Sequence, residues 1–195
     1  AHQRGDPFAP LQPKALENAR KDLHGEKILV TAGPTREPFD PVRFITNYSS
    51  GKMGYAIAAM GRRRGAEVTL VSGPCSIPAP AGVNFINVGS AVEMRNAVME
   101  NIAGSTIIIK AAAVADYRPA RASSSKIKKK KGPLSIDLER NPDIIGEVGK
   151  SKGDRILIGF AMETENLVDN ARGKLVAKNM DLIVANDLSR SDAGF

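Results

Sequence analysis

Residues 28–59 read ILVTAGPTREPFDPVRFITNYSSGKMGYAIAA. Ile28-Leu29-Val30 opens as a buried strand. Gly33-Pro34 breaks it. Ser49-Ser50-Gly51-Lys52-Met53-Gly54 then leads into a helix, with Met53, Ala56, Ile57 and Met60 at the 3- and 4-residue spacing of one face. A strand that ends in a glycine loop and feeds a helix opens a nucleotide- or phosphate-binding α/β unit. Connections in such units usually run about 2–6 residues. This one extends from about Gly33 to Ser50. With the turn that follows it carries Thr35, Arg36, Asp40, Arg43, Asn47, Ser49, Ser50 and Lys52, more directed polar chemistry than a spacer needs.

Outward from this stretch the chain alternates. The first strand spans Glu26–Ala32 and the helix Gly51–Arg64, closed by Gly65 as a C-terminal cap. Strands follow at Glu67–Ser72 and Asn84–Val88. Ser90 and Glu93 form a capping box for a helix carrying Val92, Met94, Ala97, Val98 and Ile102. Thr106–Ala113 is a fourth strand, apolar enough to be covered on both faces. Leu134–Leu138 is short and strand-like. Asn141 caps a helix with Pro142 in its first turn. Arg155–Phe160 is a buried strand. Thr164–Asn179 is a helix with Leu167, Ala171, Leu175 and Val176 inward, and Asp181–Ala185 is the last strand. The pattern predicts an α/β fold: a mainly parallel Rossmann-like sheet with helices on both faces. Ala120–Pro133, Ser- and Lys-rich, breaks the alternation and reads as a flexible flap. Residues 1–25 read as a linker remnant with a helical patch at Pro13–Leu23. Residues 26–195 read as one nucleotide-binding domain whose C-terminus is truncated or disordered.

No apolar run reaches the roughly 20 residues of a membrane span, and the N-terminus lacks the apolar core of a signal peptide. The expected location is the cytoplasm. Cys75 is the sole cysteine and the histidines are His2 and His24. That leaves no disulfide framework, no zinc cluster and no His beside Cys75. The net charge is +7, and much of the excess lies in Lys126-Ile127-Lys128-Lys129-Lys130-Lys131. The run is a solvated loop, a phosphate-tracking surface or a loop that meets a polyphosphate. Without interleaved aromatics, nucleic acid ranks low.

Ligands of open α/β sheets bind at the carboxyl ends of the strands. The strand ends here deliver Gly33–Arg36, Ala112-Ala113 and Asp116, Phe160, and Asn186-Asp187. Lys174 and Lys178, four residues apart, share a helix face that is either solvated or turned to the site. Ser49–Gly54 lacks the G-x-x-x-x-G-K-[ST] and G-x-G-x-x-G spacings, the second of which argues against a dinucleotide-dependent oxidoreductase. A helix start with glycines can still hold an anion, or be purely structural. Asp116 is either a turn residue or a carboxylate for Mg²⁺, which takes few protein oxygens plus phosphate. Lys126, on the mobile run, could stabilise charge developing on phosphorus.

Taken together, TAGPTREPFDPVRFITNYSSGKMG, KAAAVADYRP, KIKK, NPDI, GFAMET and KLVAKNMDLIVAND resemble phosphopantothenate–cysteine ligase (phosphopantothenoylcysteine synthetase). The likeness is to the bacterial form, usually the C-terminal half of a bifunctional coenzyme A biosynthesis protein. The resemblance covers nearly all of Lys27 to Phe195. It implies a two-step reaction with CTP and Mg²⁺. The carboxylate of 4′-phosphopantothenate attacks the α-phosphorus and releases pyrophosphate. The amine of cysteine then takes the acyl group. It implies that Asn47 binds the acyl intermediate, that Arg43 serves the second half-reaction and that Lys126 serves the first. It assigns nucleotide contacts to Lys110, Ala111, Ala112, Asp116, Lys126, Asn141, Pro142, Asp143, Ile144, Phe160, Lys174 and Lys178, and the metal to Asp116. Ser49, Ser50, Gly51, Lys52 and Gly54 fall to the acidic substrate or its intermediate. It further implies a homodimer, with a fused decarboxylase half, and neither nucleic-acid nor membrane partners.

Overall fold

The computed structural model describes residues 20–129, 131–163 and 166–187. The patch expected as helix at Pro13–Leu23 falls mostly outside them, as do Lys130, Thr164 and the chain end. In chain order the elements are β1 (Lys27–Ala32), β2 (Arg36–Pro38), β3 (Phe44–Thr46), α1 (Lys52–Arg63), β4 (Glu67–Ser72), β5 (Asn84–Asn87) and α2 (Ala91–Asn101). Then come β6 (Ile107–Lys110), β7 (Tyr117–Pro119), β8 (Leu138–Arg140), α3 (Ile144–Ser151), β9 (Ile156–Glu163), α4 (Leu167–Ala177) and β10 (Leu182–Asp187).

The main sheet has the order β10-β9-β6-β1-β4-β5, and every pairing in it is parallel. β1 is interior to it and buried from Ile28 to Ala32. Continuous apolar runs suit strands covered on both faces. One face packs Val30, Leu70 and Ile28 against Tyr55 and Ala58 of α1. The other packs Leu29, Ile108 and Leu157 against Met94 and Val98 of α2 and Val148 of α3. Leu29, Leu70, Ile108 and Leu157 are fully buried, each contributing roughly 1.5–3 kcal/mol relative to exposure.

Four local expectations are corrected. The face of α1 that meets the sheet is Gly54, Tyr55, Ala58 and Gly61, whereas Met53 and Met60 are exposed. A Cβ at Gly54 would fall 2.5 Å from the Ala32 Cβ, so the helix backbone itself lies on β1. Close approach, and not side-chain bulk, selects that face. The N-cap of α3 is Asp143, which accepts from the Gly146 N–H, and not Asn141. Val176 is 73% exposed; α4 turns Ala171 inward and seats Leu175 on the core. The fourth strand is shorter than Thr106–Ala113: regular pairing stops at Lys110, and only an isolated bridge joins Pro34 to Ala113.

Two antiparallel hairpins interrupt the alternation. In β2–β3, Arg36 pairs with Thr46, and in β7–β8, Tyr117 pairs with Arg140. The first hairpin is pinned to α2. The Arg36 N–H donates to the Gly89 carbonyl, and the buried Glu37 carboxylate accepts from the Ala91 N–H at 3.0 Å. Ser90 caps the same helix by accepting from the Glu93 N–H, while Glu93 reaches back to the Gly89 N–H. The expected capping box is present, shifted by one residue at its return bond. Among the described residues, no helix is long and apolar enough to cross a membrane.

Candidate functional site

Beyond the carboxyl ends of β6 and β9, the β7–β8 hairpin, the start of α3 and the end of α4 enclose a cavity of about 580 Å³. Of the residues assigned to a nucleotide, Lys110, Ala112, Asp116, Asn141, Pro142, Asp143, Ile144, Phe160, Lys174 and Lys178 line it. Ala111 and Lys126 do not. Sequence reasoning missed Val114, Ala115, Tyr117, Arg140, Ile145, Met180 and Ile183. The apolar ones look like ordinary core residues in sequence. Arg140 and Tyr117 had no signal, because the β7–β8 pairing that sets them at the mouth was not anticipated.

Lys110 is only 8% exposed, and its Nζ finds no hydrogen-bond partner among the described residues. Burial pushes its pKa down to about 8, against the attraction of Asp143. Burial pushes Asp143 the other way, but bonds from Lys178 and the Gly146 N–H hold its carboxyl below the usual value. Asp143 thus caps α3, pairs with Lys178 of the neighbouring segment and faces Lys110. Asn141 is held at both ends of its amide: Nδ2 donates to the Ala115 carbonyl at 2.8 Å, and Oδ1 accepts from Arg118 at 3.1 Å. The Asn141 N–H donates to the Asp116 carbonyl. This Asn-Pro-Asp turn is fixed at the cavity wall. Asp116 itself is exposed at the mouth.

The long loop after β1 forms a second group of residues, outside the cavity. Asp40, 2% exposed, pairs with Arg43 through Nε and Nη2 and accepts from the Val42, Arg43 and Ile127 N–H groups. The Arg43 guanidinium holds its carboxyl far below the usual carboxylate range. Arg43 also donates to the Ile127 carbonyl at 2.9 Å, and the Ser123 N–H donates to the Phe39 carbonyl. The exposed Lys126 is therefore the neighbour of a residue tied to the Arg43 loop. At the turn into α1, Gly51 takes a left-handed φ of 78° and offers no side-chain cap. Ser49 Oγ accepts from the Gly51 N–H and Ser50 Oγ from the Lys52 N–H. Gly51 and Gly33 both close on Cys75, whose Sγ would lie 2.4 and 2.6 Å from an added Cβ. Cys75 thus packs under the glycine turn.

Ala113 joins the two groups. Its carbonyl accepts from the Asn47 amide at 2.9 Å and from the Thr35 N–H at 3.3 Å, and its N–H donates to the Gly33 carbonyl. The Thr35 hydroxyl accepts from the Ala115 N–H. Residues 111–115 are thus a shared wall, with the cavity at Ala112 and the polar loop at Ala113. One side combines an apolar floor with a cationic mouth. The other offers Asn47, Arg43 and a helix start. Among the described residues no three His, Cys, Asp or Glu side chains cluster as a metal site. A metal here would draw most of its ligands from phosphate and water.

Residues 23–195 match the family model described as the DNA/pantothenate metabolism flavoprotein C-terminal domain. The chain is 51% identical over 198 residues to the coenzyme A biosynthesis bifunctional protein CoaBC of Vibrio cholerae serotype O1, covering 97% of this chain and 50% of that protein. It is 49% identical over 180 residues to CoaBC of Bacillus subtilis, covering 92% and 44%. The chain spans about half the length of the curated relatives it matches. The crystal structure of a CoaBC C-terminal domain superposes with a TM-score of 0.76 at 49% identity, over 84% of this chain and 78% of that one.

Proposed function

The chain belongs to the DNA/pantothenate metabolism flavoprotein C-terminal domain family, and on that premise we propose that it is a phosphopantothenate–cysteine ligase of coenzyme A biosynthesis. The observation that carries the reading is the pair of sites on one wall: a cation-rimmed cavity at Ala112 and a polar loop at Ala113. Two-step acyl activation needs a polyphosphate site and an acyl site that share an edge, and it needs no protein nucleophile.

In the first step the carboxylate of 4′-phosphopantothenate attacks the α-phosphorus of CTP, and pyrophosphate leaves. Arg140, Lys174 and Lys178 at the mouth offset the triphosphate charge, and Lys126 approaches from the segment anchored by Ile127. Positive charge aimed at phosphorus lowers the barrier as charge develops there. Asp116 would hold Mg²⁺ together with phosphate oxygens and water; when bound, the ion neutralises part of the triphosphate charge. In the second step the cysteine amine attacks the acyl carbon, the amide forms and CMP leaves. The Asn47 amide has two N–H donors. One is spent on Ala113, which fixes the group, and the other would serve the acyl oxygen. Arg43 assists the same step, and Ser49–Gly54 bind the acidic substrate at the helix start. The active assembly would be a cytoplasmic homodimer, fused to a decarboxylase half as in its bifunctional relatives.

The test mixes the protein with CTP, Mg²⁺ and 4′-phosphopantothenate, and adds cysteine afterwards. Pyrophosphate is expected before cysteine, and the amide and CMP only after it. Absence of pyrophosphate in the first stage would overturn the proposal.

A further inference from the structure

A buried amine with no hydrogen-bond partner, set in the wall of a cavity, needs a ligand acceptor to complete it. Lys110 is such a group. It sits on β6 between Thr31 of β1 and Gly159 of β9 in register. Gly159 has no side chain to cover it; Met180 and Ile145 close over that glycine instead. The cavity wall about Lys110 is therefore largely apolar, with Ile145, Phe160, Met180 and Ile183 in it and the Asp143 carboxylate facing the cation. Asp116, Arg140 and Lys174 lie at the exposed end.

This division decides which part of a nucleotide goes where. Burying a polyanion in an apolar pocket costs far more than burying an aromatic base. The triphosphate stays at the wet, cationic mouth and the base enters. Resting on the nucleotide reading above, we propose that Lys110 is the base-reading residue of the cavity: its Nζ donates to the ring 2-oxo group of a pyrimidine. Cytosine supplies that oxygen. Adenine has no ring carbonyl; its acceptors are ring nitrogens on a larger, two-ring base, and none of them takes the place of the 2-oxo oxygen. A site built around one buried donor rejects a ligand lacking the acceptor more strongly than apolar fit alone can achieve.

The test measures pyrophosphate release with CTP and with ATP for the wild type, Lys110→Met and Lys110→Gln, together with competition by CMP and by inorganic tripolyphosphate. Lys110→Met should raise the KM for CTP and shrink the CTP-over-ATP preference by about tenfold or more. CMP should compete less well, and tripolyphosphate as before. Lys110→Gln keeps an N–H donor without the charge, and should retain part of the preference. A preference unchanged in Lys110→Met would overturn the inference alone. So would a loss seen equally with tripolyphosphate, since Lys110 would then be a phosphate contact. A wild type that uses neither nucleotide would overturn the functional proposal, and the inference with it.

Discussion

The Asp40 carboxylate accepts a hydrogen bond from the main-chain N–H of Ile127 at 3.1 Å, across 87 residues of sequence. The same oxygen pairs with Arg43, and Arg43 in turn donates to the Ile127 carbonyl. Both backbone groups of Ile127 are thereby held by the loop assigned to the acyl half-reaction. The lysine beside it, Lys126, is assigned to the nucleotide half-reaction. On the proposed roles, the Asp40–Arg43 pair would join the two steps.

Replacing Asp40 by Ala should release Ile127 and leave Arg43 unpaired. Pyrophosphate release in the first step should fall by about 10²-fold, the scale of a small misplacement of a catalytic group. Arg43 holds the Asp40 carboxyl below its ordinary value of 3.8. A depressed carboxylate contributes its stability above the unfolded pKa and loses it as pH falls through the folded one. The anchor should therefore persist down to about pH 4, and amide exchange at Ile127 should remain slow at that pH in wild type only. Equal exchange in both proteins would remove Asp40 from this role.

On the proposed mechanism, a change at Asn47 separates the steps. Its Nδ2 is fixed on the Ala113 carbonyl. In Asn47→Asp a carboxylate oxygen would face that carbonyl oxygen, so the side chain turns away and no donor remains for the acyl group. Pyrophosphate should still form, while amide formation drops by about 10²–10³-fold, as on removing one oxyanion-stabilising donor. Quenched-flow measurement of CMP and pyrophosphate in parallel distinguishes the two, and equal losses in both steps would argue against the acyl role.

Gly149 of α3 controls the placement of Lys178. A Cβ there would lie 2.0 Å from the Lys178 carbonyl oxygen, and the Asn179 amide already donates to the Gly149 carbonyl at 2.9 Å. Gly149→Ala must push the end of α4 away from α3. Overpacking of this kind costs about 1–3 kcal/mol, readable as a lower urea midpoint. Because Lys178 also pairs with Asp143, the KM for nucleotide should rise as well. A variant with normal stability and normal KM would show that the two helices give way freely.

How far the sequence foretold this arrangement depends on the kind of force involved. β1, β4 and β9 were legible because strands covered on both faces must be apolar throughout. The helix face of α1 was misread because its contact is backbone against backbone, and hydropathy has no symbol for glycine proximity. The hairpins were missed because Arg36–Pro38 and Tyr117–Pro119 are three residues long, too short for alternation to show. Arg43, Asn47 and most of the cavity residues were named through motif likeness. No local pattern could reveal that Asp40 reaches Ile127, or that Ala113 is shared by both halves. Lys110 is the sharpest case. Its neighbours Ile109 and Ala111 announce a buried strand, but nothing in the sequence says that its amine ends without a partner.

That orphaned amine should also be visible in the stability of the ligand-free protein. Lys110 has a folded pKa of about 8 against 10.5 for the free side chain, lowered by burial and partly restored by Asp143. Between these values the unfolded chain binds the proton more tightly, so stability rises with pH from about 8 to 10.5. Below pH 8 the native state carries the full cost of a buried ammonium, on the order of 3 kcal/mol at most. Lys110→Met removes both the cost and the slope. The variant should therefore be the more stable protein at pH 7, with the difference shrinking towards pH 10. Every other titratable group is common to both proteins, so the difference between the two urea curves isolates this one group. A difference that stays constant from pH 7 to 10 would mean that Lys110 titrates normally and that water reaches it in the native state.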